Sequence, residues 1–278
     1  MMRIPALFFL MLIASGVFAQ QKWSALETEA DTLLNNQQFV QAIGKYNKVI
    51  SLQRKAKYTG PAVTRYKRAV CLFYLQEFDL ALSDLNFFIP KNPDFHQARL
   101  LRAFIYRELR NPEKQLADIN EVLAVDPWNI DLLKWRAGVL LETGEYEKAQ
   151  ADLLKVQEIQ NDEEVELYLG LSWYYLDDAD EALRCFNRAI ELNGGYVPAY
   201  QYAGMLCVEQ GAFSLALTYI DLALRLEPGS PQLQFYKGIT LVELGKTDEG
   251  CRFLNKAFYA GIDEATGYLM EFCYKVED

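Results

Sequence analysis

The chain has 278 residues, 51% apolar and 13% aromatic with 9 prolines, which is ample material for an extended folded core and excludes a disordered chain. Its 28 Lys and Arg stand against 38 Asp and Glu, a formal net charge of −10. Binding to nucleic acid needs clustered bases and is not expected; neutral or basic partners are favoured.

The first nineteen residues differ from everything after them. Arg3 is their only charge, Ile4 to Phe18 is almost wholly apolar, and Val17-Phe18-Ala19 offers small residues at a cleavage point. Residues 1–19 read as a secretory signal peptide that leaves Gln20 first. About fifteen apolar residues fall short of the roughly 20 needed to cross a bilayer, so retention as an anchor is the second reading. No cysteine stands at the junction to accept a lipid, and no later stretch is long enough for a membrane span. Loss of the segment gives 27 − 38 = −11. The remaining cysteines, Cys71, Cys185, Cys207, Cys251 and Cys273, are odd in number and widely spaced, which reads as small buried apolar residues rather than a disulfide framework. Only Cys185 and Cys207, on helices expected to be neighbours, suggest a bridge.

From residue 23 onward the sequence repeats. Small residues recur at Ala30, Ala69, Ala103, Ala137, Gly170, Gly204 and Gly238, in steps of 39, 34, 34, 33, 34 and 34. Twelve residues after each stands Ala42, Ala81, Gln115, Ala149, Ala182, Ala216 or Gly250. Four further on is a large residue every time: Tyr46, Leu85, Ile119, Leu153, Phe186, Ile220 and Leu254. Offsets of four and three define one buried helical stripe, so each unit is a pair of antiparallel helices of about 12 to 14 residues. Pro93, Pro127 and Pro228 fall just past second helices, where a helix must stop. The predicted units are 23–56, 62–95, 96–129, 130–162, 163–196, 197–230 and 231–260. Unit one has a longer second helix or loop around Arg54-Lys55-Ala56-Lys57, and residues 261–278 form a cap and tail, with a short terminal helix at 263–273.

This pattern resembles the tetratricopeptide repeat family, most clearly in Ala137 to Ala149 with Gly144 and Tyr146, in Gly170 to Ala189 with Phe186, and in Gly204 to Pro228 with Gly211 and Phe213. The resemblance covers residues 23 to 260. It implies an all-α, right-handed superhelical solenoid of about seven helix-turn-helix repeats, closed by a C-terminal capping helix.

Groups for chemistry are scarce. His96 is the only histidine, which leaves no triad, zinc site or imidazole base, and no C-x-x-C, G-x-G-x-x-G, Walker or H-E-x-x-H motif occurs. The acidic runs Asp162-Glu163-Glu164 and Asp177-Asp178-Ala179-Asp180-Glu181 fall where helices begin, positions that the helix dipole favours for acids. No enzyme activity, cofactor or metal is expected.

The resemblance places partner binding on a concave face lined by the first helices. Two residues before each first small site stand Thr28, Lys67, Leu101, Trp135, Tyr168, Tyr202 and Tyr236, the last four aromatic and expected to form a ladder. Seven residues on come Asn35, Tyr74, Glu108, Glu142, Tyr175, Glu209 and Glu243, on the same helical face. The candidate groove is therefore Trp135, Tyr168, Tyr202 and Tyr236 beside Glu142, Tyr175, Glu209 and Glu243. It suits a protein or peptide segment carrying Lys or Arg among apolar residues. The competing reading is that these aromatics pack between repeats and the glutamates are solvated filler. The expected function is a non-enzymatic scaffold in the periplasm or another exported setting; the alternative is a holdase or carrier for nascent envelope proteins or glycans.

Overall fold

The computed structural model describes residues 23–60 and 62–274; the expected signal segment lies outside them. Among the described residues the regular structure is entirely helical, and no helix is long and apolar enough to cross a membrane. By internal contacts the chain divides into two compact units, Met1–Pro127 and Trp128–Asp278.

The first unit holds α1 (23–35), α2 (Phe39–Lys55), α3 (Val63–Tyr74), α4 (Phe78–Phe88), α5 (His96–Glu108) and α6 (Pro112–Leu123). The second holds α7 (Ile130–Glu142), α8 (Tyr146–Ile159), α9 (Glu163–Tyr175), α10 (Ala179–Leu192), α11 (Val197–Glu209), α12 (Phe213–Leu226), α13 (Pro231–Glu243), α14 (Thr247–Tyr259) and α15 (Ala265–Tyr268). After α15 the chain makes one wide π turn, Leu269–Cys273, so the end is an irregular cap rather than one simple helix.

Each odd helix from α1 to α13 turns into the following even helix in the same way. Two residues before the even helix stands a residue of positive φ: Gln37, Gln76, Arg110, Gly144, Asp177, Gly211 or Gly245. The next N–H donates back to the carbonyl five residues earlier, as in Gln38 to Leu33, Glu145 to Leu140 and Lys246 to Leu241, each at 2.8 Å. This is the Schellman closure, which satisfies carbonyls that the helix end leaves open.

The small and large positions explain the close pairing. Ala30, Ala69, Ala103 and Ala137 are fully buried, as are Tyr46, Leu85, Ile119 and Leu153 from the even helices. Gly170, Gly204 and Gly238 replace alanine where the fit tightens: a Cβ on Gly170 would lie 2.4 Å from Phe186 Cε1, and one on Gly238 would lie 2.7 Å from Leu254 Cγ. Gln115, in place of a small residue, is buried in α6, where its Nε2 has no hydrogen-bond partner among the described residues. That unpaired amide opposes the burial of its own helix.

A second periodic device is ionic. Arg68 grips Asp84 through Nε to Oδ2 at 2.6 Å and Nη2 to Oδ1 at 2.7 Å; Arg102 holds Asp118 at 2.8 and 2.7 Å, and Arg136 holds Asp152 at 2.6 and 2.7 Å. Each fork joins the two helices of one repeat around a nearly buried carboxylate. Arg68 and Arg102 also reach Asn47 and Asn86 on the preceding even helix, so the fork links neighbouring repeats. At the same register later repeats carry Leu169 with Cys185 and Ala203 with Tyr219, whose hydroxyl donates to Asn187 at 2.7 Å; in the last, the Lys237 ammonium lies 4.5 Å from the Phe253 ring centre.

The cysteine expectation is corrected here. Cys251 on α14 is bonded to Cys273 in the cap, with Cα atoms 5.7 Å apart, whereas Cys71, Cys185 and Cys207 are free and buried. Cys185 sits on α10 and Cys207 on α11, both buried, and burial pushes both thiols above their ordinary range. A spacing of 22 residues gave no motif to recognise, because the bridge depends on the cap folding back over α14. Its removal in a Cys251→Ser, Cys273→Ser variant is expected to lower stability by about 3 kcal/mol in denaturant titrations, the usual entropic scale for a loop of this size.

Candidate functional site

The acidic runs are structural. Asp162 caps α9, its carboxylate accepting from the Val165 N–H at 2.9 Å, and Asp178 caps α10 by accepting from Glu181 N–H at 3.0 Å. Lys134 pairs with Asp162 at 3.0 Å and with Glu164. These contacts complete helix ends.

In the second unit, α7, α9, α11 and α13 contact one another in sequence and form one face. Trp135, Tyr168, Tyr202 and Tyr236 are half-buried on it, one per helix. The tyrosines also belong to the core: Tyr168 and Tyr202 pack on the cluster around Phe186, with Tyr202 and Phe186 centroids 5.9 Å apart, and Tyr236 packs on Phe235 and on the cluster of Cys207, Ala216 and Ile220.

The outer edge of the face is acidic and aromatic. Glu142, Tyr175, Glu209 and Glu243 are all exposed. Tyr175 lies parallel to Tyr146 with centroids 4.8 Å apart, and its neighbour Tyr174 donates its hydroxyl to Glu209 Oε1 at 3.0 Å. Around these groups opens a cavity of about 310 Å³ lined by Tyr174, Tyr175, Asp177, Ala179, Leu206, Glu209 and Gln210. Two of the sequence-derived residues, Tyr175 and Glu209, thus meet in one recess. Tyr174, Tyr146 and Asp177 were not singled out for this role; the Tyr174-Tyr175 doublet at a helix end was the available signal.

Electrostatics tie the row together. Burial, then the charges of Glu164 and Glu142, raise the Tyr168 hydroxyl above its ordinary pKa. Burial and the nearby Tyr175 raise that of Tyr202, and burial, with Glu209 and Tyr202 adding, raises that of Tyr236. Tyr174 is pushed up to about 12 by burial and by its bond to Glu209, and Tyr196 to about 12 by burial and by Glu164. An unfolded tyrosine titrates near 10, so between about pH 10 and 12 the unfolded chain has lost protons that the fold retains, and stability falls as pH rises. Titration with alkali should therefore show the ionisation of Tyr168, Tyr174, Tyr196, Tyr202 and Tyr236 appearing together with loss of helical circular dichroism, the five being identified by the absorbance that their replacement with Phe removes.

The recess presents carboxylates and ring faces, which suits a cation better than an anion. It holds no nucleophile beside a base, and among the described residues no cluster of His, Cys, Asp and Glu has a metal-holding arrangement.

Comparison with known proteins points the same way on fold. Residues 167–231 match a family model described as tetratricopeptide repeat. The human protein Sperm-associated antigen 1 is 27% identical over 114 residues, 40% of this chain and 12% of that protein. The chain spans only 12 to 30% of the length of the curated relatives it matches. Among solved structures, a tetratricopeptide repeat protein from Parabacteroides merdae aligns over 91% of this chain and 98% of its own, with a TM-score of 0.65 and 18% identity. YrrB, described as a tetratricopeptide repeat protein with an unusual peptide-binding site, aligns over 67% of this chain and 97% of its own, with a TM-score of 0.51 and 20% identity. Residues 167–231 thus match the tetratricopeptide repeat, and the 34-residue period, the uniform helix-pair closures and the aligned structures show the same repeat fold through the described residues.

Proposed function

We propose that this chain is an exported, non-enzymatic scaffold whose second unit binds a partner segment carrying Lys or Arg among apolar residues. The observation that carries the reading is the recess at Tyr174, Tyr175 and Glu209 beside the half-buried row Trp135, Tyr168, Tyr202 and Tyr236. A lysine or arginine side chain enters the recess against the tyrosine rings and the Glu209 carboxylate, while flanking apolar residues lie on the row. At partly exposed rings a contact with a cation is worth about 0.5–1 kcal/mol, and the charge pair adds to it. The peptide-binding description of YrrB agrees with this use of the fold. The Cys251–Cys273 bridge supports an oxidising compartment, as does the apolar leader of the sequence.

Peptide arrays with single Lys or Arg anchors, followed by fluorescence anisotropy, test the binding. Tyr175→Ala and Glu209→Gln should each weaken the best peptide about tenfold, by removing roughly 1.4 kcal/mol of contact. Equal affinity of wild type and variants would sink the assignment of the recess. Suppression of aggregation of many unfolded chains, without a defined peptide preference, would favour the carrier role instead. A reporter fused after Ala19 tests export.

A further inference from the structure

The chain is acidic overall, yet its acids are unevenly spread. From Thr32 to Gln76 there is no Asp or Glu in 45 residues, while eight bases fall in the same run: Lys45, Lys48, Arg54, Lys55, Lys57, Arg65, Lys67 and Arg68. The fold gathers part of this charge. Where the end of α2, the start of α3 and the end of α4 meet, a cavity of about 330 Å³ is lined by Arg54, Lys57, Arg65 and Lys91, with no carboxylate among its lining residues. Ile50, Phe87 and Tyr58 supply an apolar wall. Arg65 lies 4.2 Å and Lys91 5.0 Å from the centre of the Phe87 ring, so the ring holds two cations at the cavity.

Of the four cations, Arg65 is paired with the buried Asp84 at 2.8 Å, a carboxylate that the Arg68 fork also grips, whereas Arg54, Lys57 and Lys91 have no ion pair among the described residues. Helix-end stabilisation accounts for Arg54 and Lys55 in the last turn of α2 and for Lys91 at the end of the 3-10 turn Ile89–Lys91, but not for Lys57 and Arg65. Several cations around one partly apolar cavity repel one another, and a bound anion relieves that repulsion, a dianion about twice as strongly as a monoanion.

We propose that this cavity is an oxyanion site for a phosphate monoester borne on a ring or hydrocarbon group, the phosphate between Arg54, Lys57 and Lys91 and its apolar part on Phe87 and Ile50. The same chemistry reaches a protein either as a small soluble molecule or as a lipid headgroup. The site lies in the first unit and is independent of the peptide-binding reading.

The test uses the whole mature chain, with phenyl phosphate as the soluble probe, benzoate as its monoanionic counterpart, and vesicles of phosphatidic acid in phosphatidylcholine as the lipid probe. Calorimetry should show phenyl phosphate binding at least tenfold more tightly than benzoate. Lys57→Glu with Lys91→Glu should abolish that binding, whereas Lys148→Glu with Arg184→Glu, on the second unit, should leave it unchanged. Circular dichroism guards against misfolding, and Lys57→Gln with Lys91→Gln gives a milder pair expected to lose about tenfold. Vesicle binding that the same Lys57 and Lys91 changes abolish supports the lipid source. Failure of both probes to bind, or binding insensitive to Lys57 and Lys91, overturns the site.

Discussion

Replacing Asp152 by Asn is expected to lower the unfolding free energy by about 3 kcal/mol, the scale for removing one partner of a buried ion pair. Arg136 meets this carboxylate at 2.6 and 2.7 Å, and the Asp152 side chain is only 4% exposed. The loss arises mainly from the guanidinium left without its counter-charge, not from the hydrogen bonds themselves. The next repeat shows how to separate these terms, since at the same register it has Leu169 and Cys185, both buried. A chain carrying Arg136→Leu and Asp152→Cys together should recover most of the stability lost by Asp152→Asn. Urea titrations of the three proteins check this. If the double variant is as weak as the single, the fork contributes more than compensation of its own charges.

Alanine at Gly250 should be nearly as damaging, at about 3 kcal/mol, the upper range for forced overpacking. Its Cβ would lie 2.7 Å from Val242 Cγ2, 2.8 Å from the Gly238 carbonyl oxygen and 3.0 Å from the Val242 nitrogen. Two of those three atoms are backbone, so no rotamer change makes room and α13 must move away from α14. Gly138 in α7 is the control: nothing stands within 4 Å of its Cβ position, and alanine there should raise helix stability by up to about 1 kcal/mol. Thermal melts of both variants distinguish a steric effect from a general sensitivity of these helices to substitution.

The helical fold was legible because its packing rests on short-range periodicity. A small residue and a large one sixteen positions apart must meet when two antiparallel helices join through a short turn, as Ala137 and Leu153 do in full burial. The Arg68, Arg102 and Arg136 series and the Asp84, Asp118 and Asp152 series have the same sixteen-residue offset, and their 34-residue steps could have been read as a fork. They were passed over because charged residues are usually solvated and a buried pair is seen only when both partners are aligned. The cap bridge was illegible for a different reason: Cys273 reaches Cys251 through an irregular π turn that no helical period encodes. At the candidate site, the sequence grouped aromatic and acidic positions on one helical face. It did not show that Tyr174 bonds Glu209 across two repeats, since that contact depends on the angle at which α9 and α11 pack.

The bridge between α14 and the cap also gives the array a direction. In a stack where each repeat leans only on its neighbours, opening begins at ends, where a helix has one supporting side instead of two. A covalent strap over the last repeat removes one such starting point. Proteolytic nibbling and amide exchange then start elsewhere, and residues 247–273 behave as an anchored segment. Reduction would release that anchor, so the redox state of the surroundings tunes how readily residues 247–273 fray.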